Sequence, residues 1–166
     1  MPGTTTVDIL KSAILLEKKG RAFYGQVAEQ SSHTAVKRFF ELMADEEAEH
    51  IRILTEQFQS YQDTKRFMPL AAPGTSADIA GKVLTGDLVA AIAAADYEAA
   101  AISAAMALEK NAVRLYSDRA ASASDSEEKA LYDWLSRWEQ SHLQFLADID
   151  REITERIWND NHFWSF

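Results

Sequence analysis

The chain has 166 residues, 47% of them hydrophobic, with only three prolines and six glycines, a composition typical of a helical globular domain. Its net charge of −9, with no basic stripe, argues against nucleic acid as a partner. The sequence contains no cysteine, which excludes disulfides, iron–sulfur clusters and thiolate metal sites.

The first ten residues lack the pattern of a signal peptide, and no apolar run approaches the roughly 20 residues of a membrane span. The alanine-rich run 88–95 is too short and is soon followed by Asp96 and Glu98. We therefore expect a cytoplasmic protein without a membrane partner.

Helical periodicity begins near the N-terminus. A first helix is predicted over about 6–30, with Thr5 as its N-cap and Asp8 three residues later, which resembles a capping box. After a two-residue break, a second helix is predicted over about 33–61. A break this short indicates that the two helices run antiparallel.

A long crossover is predicted over about 62–86, because prolines and glycines recur there, with one short helix near 79–84. A third helix follows over about 87–121. After another short break, a fourth is predicted over about 125–157, with Ser124 and Glu127 as its capping box. A single domain over 1–166, built from two antiparallel hairpins and a crossover, has the topology of a ferritin-like four-helix bundle.

Two E-x-x-H motifs occur, at 47–50 and 139–142, and each lies thirty residues after the glutamate of an L-E-K tripeptide, at 16–18 and 108–110. Every element recurs at an offset of 92 residues. Four carboxylates and two imidazoles in this pattern indicate a two-metal centre within a helical bundle. The repeat thus predicts six metal ligands, Glu17, Glu47, His50, Glu109, Glu139 and His142.

The repeat also selects among the several acidic residues that precede His50. Only Glu47 has an acidic counterpart, Glu139. Glu46 corresponds to Trp138, and Glu49 corresponds to Ser141. Each predicted ligand lies within the apolar stripe of its helix, where an unpaired carboxylate is costly. Two divalent cations would balance four glutamates, whereas the alternative is buried ion pairs or exposed acids.

Tyr24 and Tyr116 each follow a predicted glutamate ligand by seven residues, on the same helical face. Their hydroxyls are candidates for hydrogen bonds to the ligands, although ordinary core packing explains the pattern equally well. Glu98 shares the helical face of Glu109 but lies about 16 Å along the axis, too far for one site. We expect it to be a solvated or interface acid.

These motifs resemble those of the ferritin-like di-iron proteins, and within them the rubrerythrin-like group. The resemblance covers nearly the whole chain and rests on the twin motifs, the two partner glutamates and the tyrosine seven residues after the first of them. It implies that the motif glutamates bridge both metals and that each remaining glutamate is a terminal ligand beside a histidine. The implied roles are bridging for Glu47 and Glu139, terminal for Glu17 with His50, and terminal for Glu109 with His142.

The chain departs from the resembled group in two respects. Full rubrerythrins carry a four-cysteine rubredoxin domain, so an external, rubredoxin-like electron donor protein is expected here. They also carry a further glutamate one turn after the third-helix ligand, where this sequence has Ala112. The site therefore looks closer to a plain six-ligand arrangement.

Carboxylates with imidazoles suit iron or manganese and tolerate zinc, and the resemblance implies two iron ions. The leading functional hypothesis is a di-iron oxidoreductase that reduces hydrogen peroxide or dioxygen as Fe(II) is oxidised. One alternative is a ferroxidase that feeds iron storage. Another is a non-enzymatic metal-binding structural or adaptor bundle.

The third helix is rich in alanine, which permits close helix approach, and the segment 158–166 is rich in aromatic residues. Closed two-fold dimers are the commonest soluble assemblies, and dimerisation is usual in the resembled family. We expect a homodimer, with the third helix as a candidate interface. The aromatic segment is expected to dock on the bundle or on a neighbouring subunit.

Overall fold

The computed structural model describes residues 4–71 and 86–160, and all regular secondary structure within these ranges is helical. The predicted all-α class is confirmed. The helices of the described ranges, numbered in chain order, are α1 (Thr6–Gln30), α2 (Thr34–Thr64), α3 (Gly86–Ala93), α4 (Asp96–Ser122) and α5 (Ser126–Asp160).

Two helical hairpins form most of the bundle, since α1 packs along α2 and α4 packs along α5. Their connections, residues 31–33 and 123–125, are too short for anything but an antiparallel turn. α1 begins at its predicted cap. The Thr5 hydroxyl accepts a hydrogen bond from the Asp8 backbone N–H, and the Asp8 carboxylate accepts one from the Thr5 N–H, both at 3.1 Å.

The cap predicted for the last helix is wrong. The carboxylate of Asp125, rather than the Ser124 hydroxyl, accepts hydrogen bonds from the backbone N–H groups of Glu127 and Glu128, both at 2.9 Å. A carboxylate at this position satisfies two otherwise unpaired donors and also lies at the positive end of the helix dipole. The charged residue therefore outcompetes its neutral neighbour as the cap.

The predicted continuous third helix over about 87–121 is also wrong, because it is two helices, α3 and α4, that meet at a bend of 104°. No glycine or proline marks the break, and alanine favours continuation. Burial of a large aliphatic side chain contributes about 1.5–3 kcal/mol, which outweighs the roughly 1 kcal/mol of a lost helical hydrogen bond. α3 buries three such side chains in the core, Leu88, Val89 and Ile92.

The first turn of α4 carries the signal for this new helix start, since Asp96 and Glu98 lie there and acidic side chains favour a helix N-terminus. Glu98 was expected to be a solvated or interface acid, but it is buried within the single chain, with 7% of its surface exposed. α3 packs against both α4 and α5.

Two apolar clusters fill the bundle and leave a layer between them. One contains the second half of α1, the first halves of α2 and α4 and the second half of α5, together with α3. The other contains the first half of α1, the second halves of α2 and α4 and the first half of α5. The six predicted ligands lie in the layer between these clusters.

α2 continues to Thr64, a little beyond its predicted end, and Lys65 closes it in the left-handed conformation with φ 58°. The short helix predicted near 79–84 and the aromatic segment after Asp160 lie outside the described residues. Within the described ranges, no single helix is long and apolar enough to cross a membrane; the bent pair α3 and α4 meets that length and composition criterion only when joined.

Candidate metal centre

The four long helices each place acidic or imidazole side chains at the middle of the bundle. α1 and α4 contribute one glutamate each, whereas α2 and α5 contribute a glutamate and a histidine three residues apart, which places both on one helical face. None of the six has more than 3% of its surface exposed: Glu17, Glu47, His50, Glu109, Glu139 and His142.

The six side chains form two groups that share two members. In each group, one ligand atom from every residue lies within 4.8 Å of those of the others. Glu47 and Glu139 belong to both groups, so their carboxylates lie where they could contact two cations at once. The first group adds Glu17 and His50, and the second adds Glu109 and His142.

The first histidine points its Nδ1 atom at three carboxylates. His50 Nδ1 lies 2.7 Å from Glu139 Oε1, 3.3 Å from Glu17 Oε2 and 3.5 Å from Glu47 Oε2. An imidazole nitrogen among convergent carboxylate oxygens is the donor arrangement that iron, manganese and zinc accept.

The second histidine repeats this geometry more loosely. His142 Nδ1 lies 3.4 Å from Glu139 Oε2 and 3.8 Å from both Glu47 Oε1 and Glu109 Oε1. This Nδ1 atom is buried and has no hydrogen-bond partner among the described residues. An unsatisfied buried nitrogen that faces three carboxylates fits a metal ligand better than a structural histidine.

Protonation has to relieve the charge of this cluster when no cation balances it. Burial, together with repulsion from Glu139, raises the pKa values of Glu47 and Glu109 well above the usual range. Burial also opposes ionisation of Glu139, but the charge of the neighbouring His50 cation and the close approach of both imidazoles outweigh it and lower the pKa of Glu139. The four carboxylates outnumber the two imidazoles, and divalent cations could supply the missing positive charge.

The two tyrosines form a crossed pair of contacts. Tyr24 donates a hydrogen bond to Glu109 Oε1, and Tyr116 donates one to Glu17 Oε1. Both hydroxyls are fully buried, and burial followed by the charge of the adjacent glutamate raises their pKa values, so they remain donors. The predicted contact with the ligands is present, but each acceptor belongs to the opposite hairpin.

A small cavity adjoins the glutamates between α1 and α4. The space open to the centre of a water-sized molecule is about 10 Å³, roughly what one water needs. Gly20 and Ala112, which are 92 residues apart, keep it open. Its lining is symmetric under the repeat: Leu16, Glu17, Gly20, Glu47, Leu108, Glu109, Ala112 and Glu139.

Sequence reasoning missed one further residue pair. The Trp138 Nε1–H donates to Glu46 Oε2 at 2.7 Å, and both groups lie beside the outer nitrogen of His142. The repeat does not include Glu46 among the predicted metal ligands, because its counterpart is not acidic. That mismatch between Glu46 and Trp138 was itself the available signal.

Comparison with known families agrees with this geometry. The family model for rubrerythrin matches residues 8–149, which is most of the chain. The chain belongs to the rubrerythrin family. Comparisons with curated proteins and with solved structures give no match.

The residues present fit the metals of the rubrerythrin family. Four carboxylates and two imidazoles in two groups, with too little positive charge of their own, form a buried cluster that could hold metal ions. The bridging and terminal roles stay predictions, as does the identity of the metal.

Proposed function

We propose that this chain is a di-iron oxidoreductase that reduces hydrogen peroxide or dioxygen as Fe(II) is oxidised to Fe(III). The observation that supports it most directly is the sharing of Glu47 and Glu139 between the two ligand groups, beside a cavity for one small molecule. Redox chemistry at paired metals needs a substrate that reaches both, and shared carboxylates hold metals close enough for that.

Two irons, when bound, supply one electron each, which is what one hydrogen peroxide needs, with two protons, to become two waters. The protein residues fix the geometry for this reaction. Tyr116 donates to Glu17 Oε1, which leaves Glu17 Oε2, the oxygen 3.3 Å from His50 Nδ1, for a cation. Tyr24 fixes the carboxylate of Glu109 through its Oε1 atom. The apolar clusters on both sides keep bulk water away from the centre.

Catalytic turnover requires a reductant. The 166 residues contain no cysteine, so they supply neither a rubredoxin-type iron site nor a dithiol. We propose an external electron donor protein, rubredoxin-like in chemistry, as the partner for peroxidase turnover.

An iron-loading experiment tests the proposal. Protein loaded anaerobically with two equivalents of Fe(II) receives one equivalent of peroxide, and oxidation is followed by absorbance with and without a reductant. Glu47→Gln should abolish rapid oxidation. The matched control is Glu56→Gln, which alters an exposed glutamate on the same helix that pairs with Arg52.

The outcomes separate the candidate functions. Repeated turnover with a donor supports a peroxidase, whereas a single oxidation with ferric iron retained or passed on supports a ferroxidase. Oxidation no faster in the wild-type protein than in Glu47→Gln would refute both and leave a redox-inert metal-binding bundle.

A further inference from the structure

Among the positions at which the two halves of the 92-residue repeat differ, one lies directly behind a predicted ligand. Glu46 occupies it in the first half and Trp138 in the second. These two side chains contact each other, since the Trp138 Nε1–H donates to Glu46 Oε2 at 2.7 Å. A contact between equivalent positions is what an approximate two-fold relation places at its axis. The same axis relates the crossed tyrosine contacts.

Glu46 lies behind His142, on the side away from the other carboxylates. His142 Nε2 is 3.6 Å from Glu46 Oε2 and 3.2 Å from Trp138 Nε1. An indole N–H can only donate, and its shorter contact is with Glu46. If His142 binds a cation through Nδ1, the neutral ring carries its proton on Nε2. The two N–H groups then converge on one carboxylate oxygen.

His50 has no such support. Its Nε2 atom is buried and lacks a hydrogen-bond partner among the described residues. The ring lies edge-on to Trp134 and Trp138, with centroid distances of 5.7 and 5.4 Å and interplanar angles of 82° and 85°. His50 therefore packs against two indole rings, and no carboxylate accepts a hydrogen bond from its Nε2 atom among the described residues, whereas Glu46 lies beside Nε2 of His142.

A carboxylate behind a ligating imidazole stabilises the positive charge that the cation draws onto the ring, and it fixes the ring orientation. Loss of such a partner typically costs about 10–100-fold in metal affinity. We propose that Glu46 makes the two half-sites unequal, so that a first divalent cation binds between Glu109 and His142 before a second binds between Glu17 and His50.

This inference rests on the proposed metal-binding function, and a cobalt titration separates the two. Co(II) is added without iron, and binding is followed by calorimetry and visible absorbance. The wild-type protein should bind in two resolved steps. Glu46→Gln keeps the shape of the side chain but removes its charge, and it should weaken the first step by about 10–100-fold while leaving the second unchanged.

Single-site backgrounds locate the effect. His50→Ala keeps the half-site that Glu46 supports, and His142→Ala keeps the other. Glu46→Gln should weaken cobalt binding only when added to His50→Ala. Glu56→Gln removes an equal charge from an exposed position on the same helix and should alter neither background. Equal weakening by Glu46→Gln in both backgrounds would overturn the proposal, because a general charge or folding effect would explain it.

A crystal of the wild-type protein with one equivalent of Co(II) shows directly which half-site is filled first. A purely structural role for Glu46 predicts no preference between the two half-sites. The anomalous peak is expected between Glu109 and His142, and a peak between Glu17 and His50 would overturn the proposal. Should Glu46→Gln fail to fold, Trp138→Phe tests the same network by removing the donor that holds Glu46. Two indistinguishable steps contradict the inequality alone, whereas no cobalt binding contradicts the proposed function.

Discussion

The hydroxyl of Tyr24 donates its hydrogen bond to Glu109, 85 positions away in the sequence, and not to Glu17 on its own helix. Tyr24 lies seven residues after Glu17, about 10.5 Å along the helix, so the two side chains are too far apart for a direct contact. The reciprocal contact of Tyr116 with Glu17 shows that α1 and α4 run antiparallel at the site. Each hairpin thus orients the terminal carboxylate of the other.

Tyr24→Phe and Tyr116→Phe should therefore destabilise the protein by similar amounts. Each removes one hydrogen bond to a buried carboxyl group, which costs about 1–3 kcal/mol. Urea unfolding of the metal-free protein measures the change. Tyr97→Phe, at a site with 46% of its surface exposed, is the control and should have no effect. A large effect from only one of the buried tyrosines would contradict the reciprocal arrangement.

Two metal ions per chain are expected in crystals of loaded protein. Anomalous scattering should give two peaks about 3.5–4 Å apart, which is the usual spacing of paired metals. Glu47→Ala should weaken binding of both ions, whereas Glu17→Ala should weaken mainly one. A single peak, or equal loss in the two variants, would refute the assignment of bridging and terminal ligands.

The stability of the metal-free protein should fall as pH rises between about 5 and 9. Burial lowers the pKa of His142, but its contacts with Glu139 and Glu46 outweigh this and raise it from 6.5 to about 9. The pKa values of Glu47 and Glu109 are raised above 4.5. The folded state therefore holds more protons than the unfolded state in this window, and each extra proton costs about 1.4 kcal/mol per pH unit.

The lowered pKa of Glu139 acts with the opposite sign, but its contribution is lost only as pH falls below about 4.5. Urea unfolding at a series of pH values checks the slope. Glu47→Gln, which removes one of the protonated groups, should make the slope shallower. A stability that rises from pH 5 to 9 would contradict the protonation pattern.

Gly20→Ala is expected to stabilise helix α1 and, at the same time, to reduce the space in the cavity beside the glutamates. A Cβ at Gly20 would lie 3.5 Å from Glu47 Cδ, an ordinary contact, and one at Gly25 would meet nothing within 4 Å. Both substitutions should stabilise α1 by about 0.5–1 kcal/mol. Only Gly20 lines the cavity, so only Gly20→Ala should slow peroxide-driven oxidation. Equal slowing of the oxidation by Gly25→Ala would show that the cavity has no role in the reaction.

A homodimer is expected at micromolar concentration, and light scattering would test it against the monomer mass of 18.6 kDa. If the alanine-rich surface contributes the interface, Ala94→Glu should weaken the dimer. Ala94 lies in the bend between α3 and α4 and is exposed. An unchanged mass for this variant would exclude the bend from the interface, and a monomeric wild-type protein would refute the prediction.

The helices and the six clustered side chains could be predicted because the repeat encodes them twice. The bend after α3 could not, because the local alanine preference favours a continuous helix and only long-range burial of residues such as Leu88 reverses it. The hydrogen-bond partner of Tyr24 could not be predicted either, because helical periodicity places a residue on one face of its helix but does not indicate which other helix packs against that face. The contact of Glu46 could not be predicted either, because a repeat indicates what the two halves share and Glu46 has no acidic counterpart.

The 92-residue offset has a consequence for how such a centre can change. If two identical hairpins had assembled from separate chains, any substitution at position 46 would appear on both sides of the axis at once. Joined in one polypeptide, the halves vary independently, and a glutamate can stand opposite a tryptophan. Covalent linkage thus frees each histidine to acquire its own neighbours while the carboxylates around it remain paired.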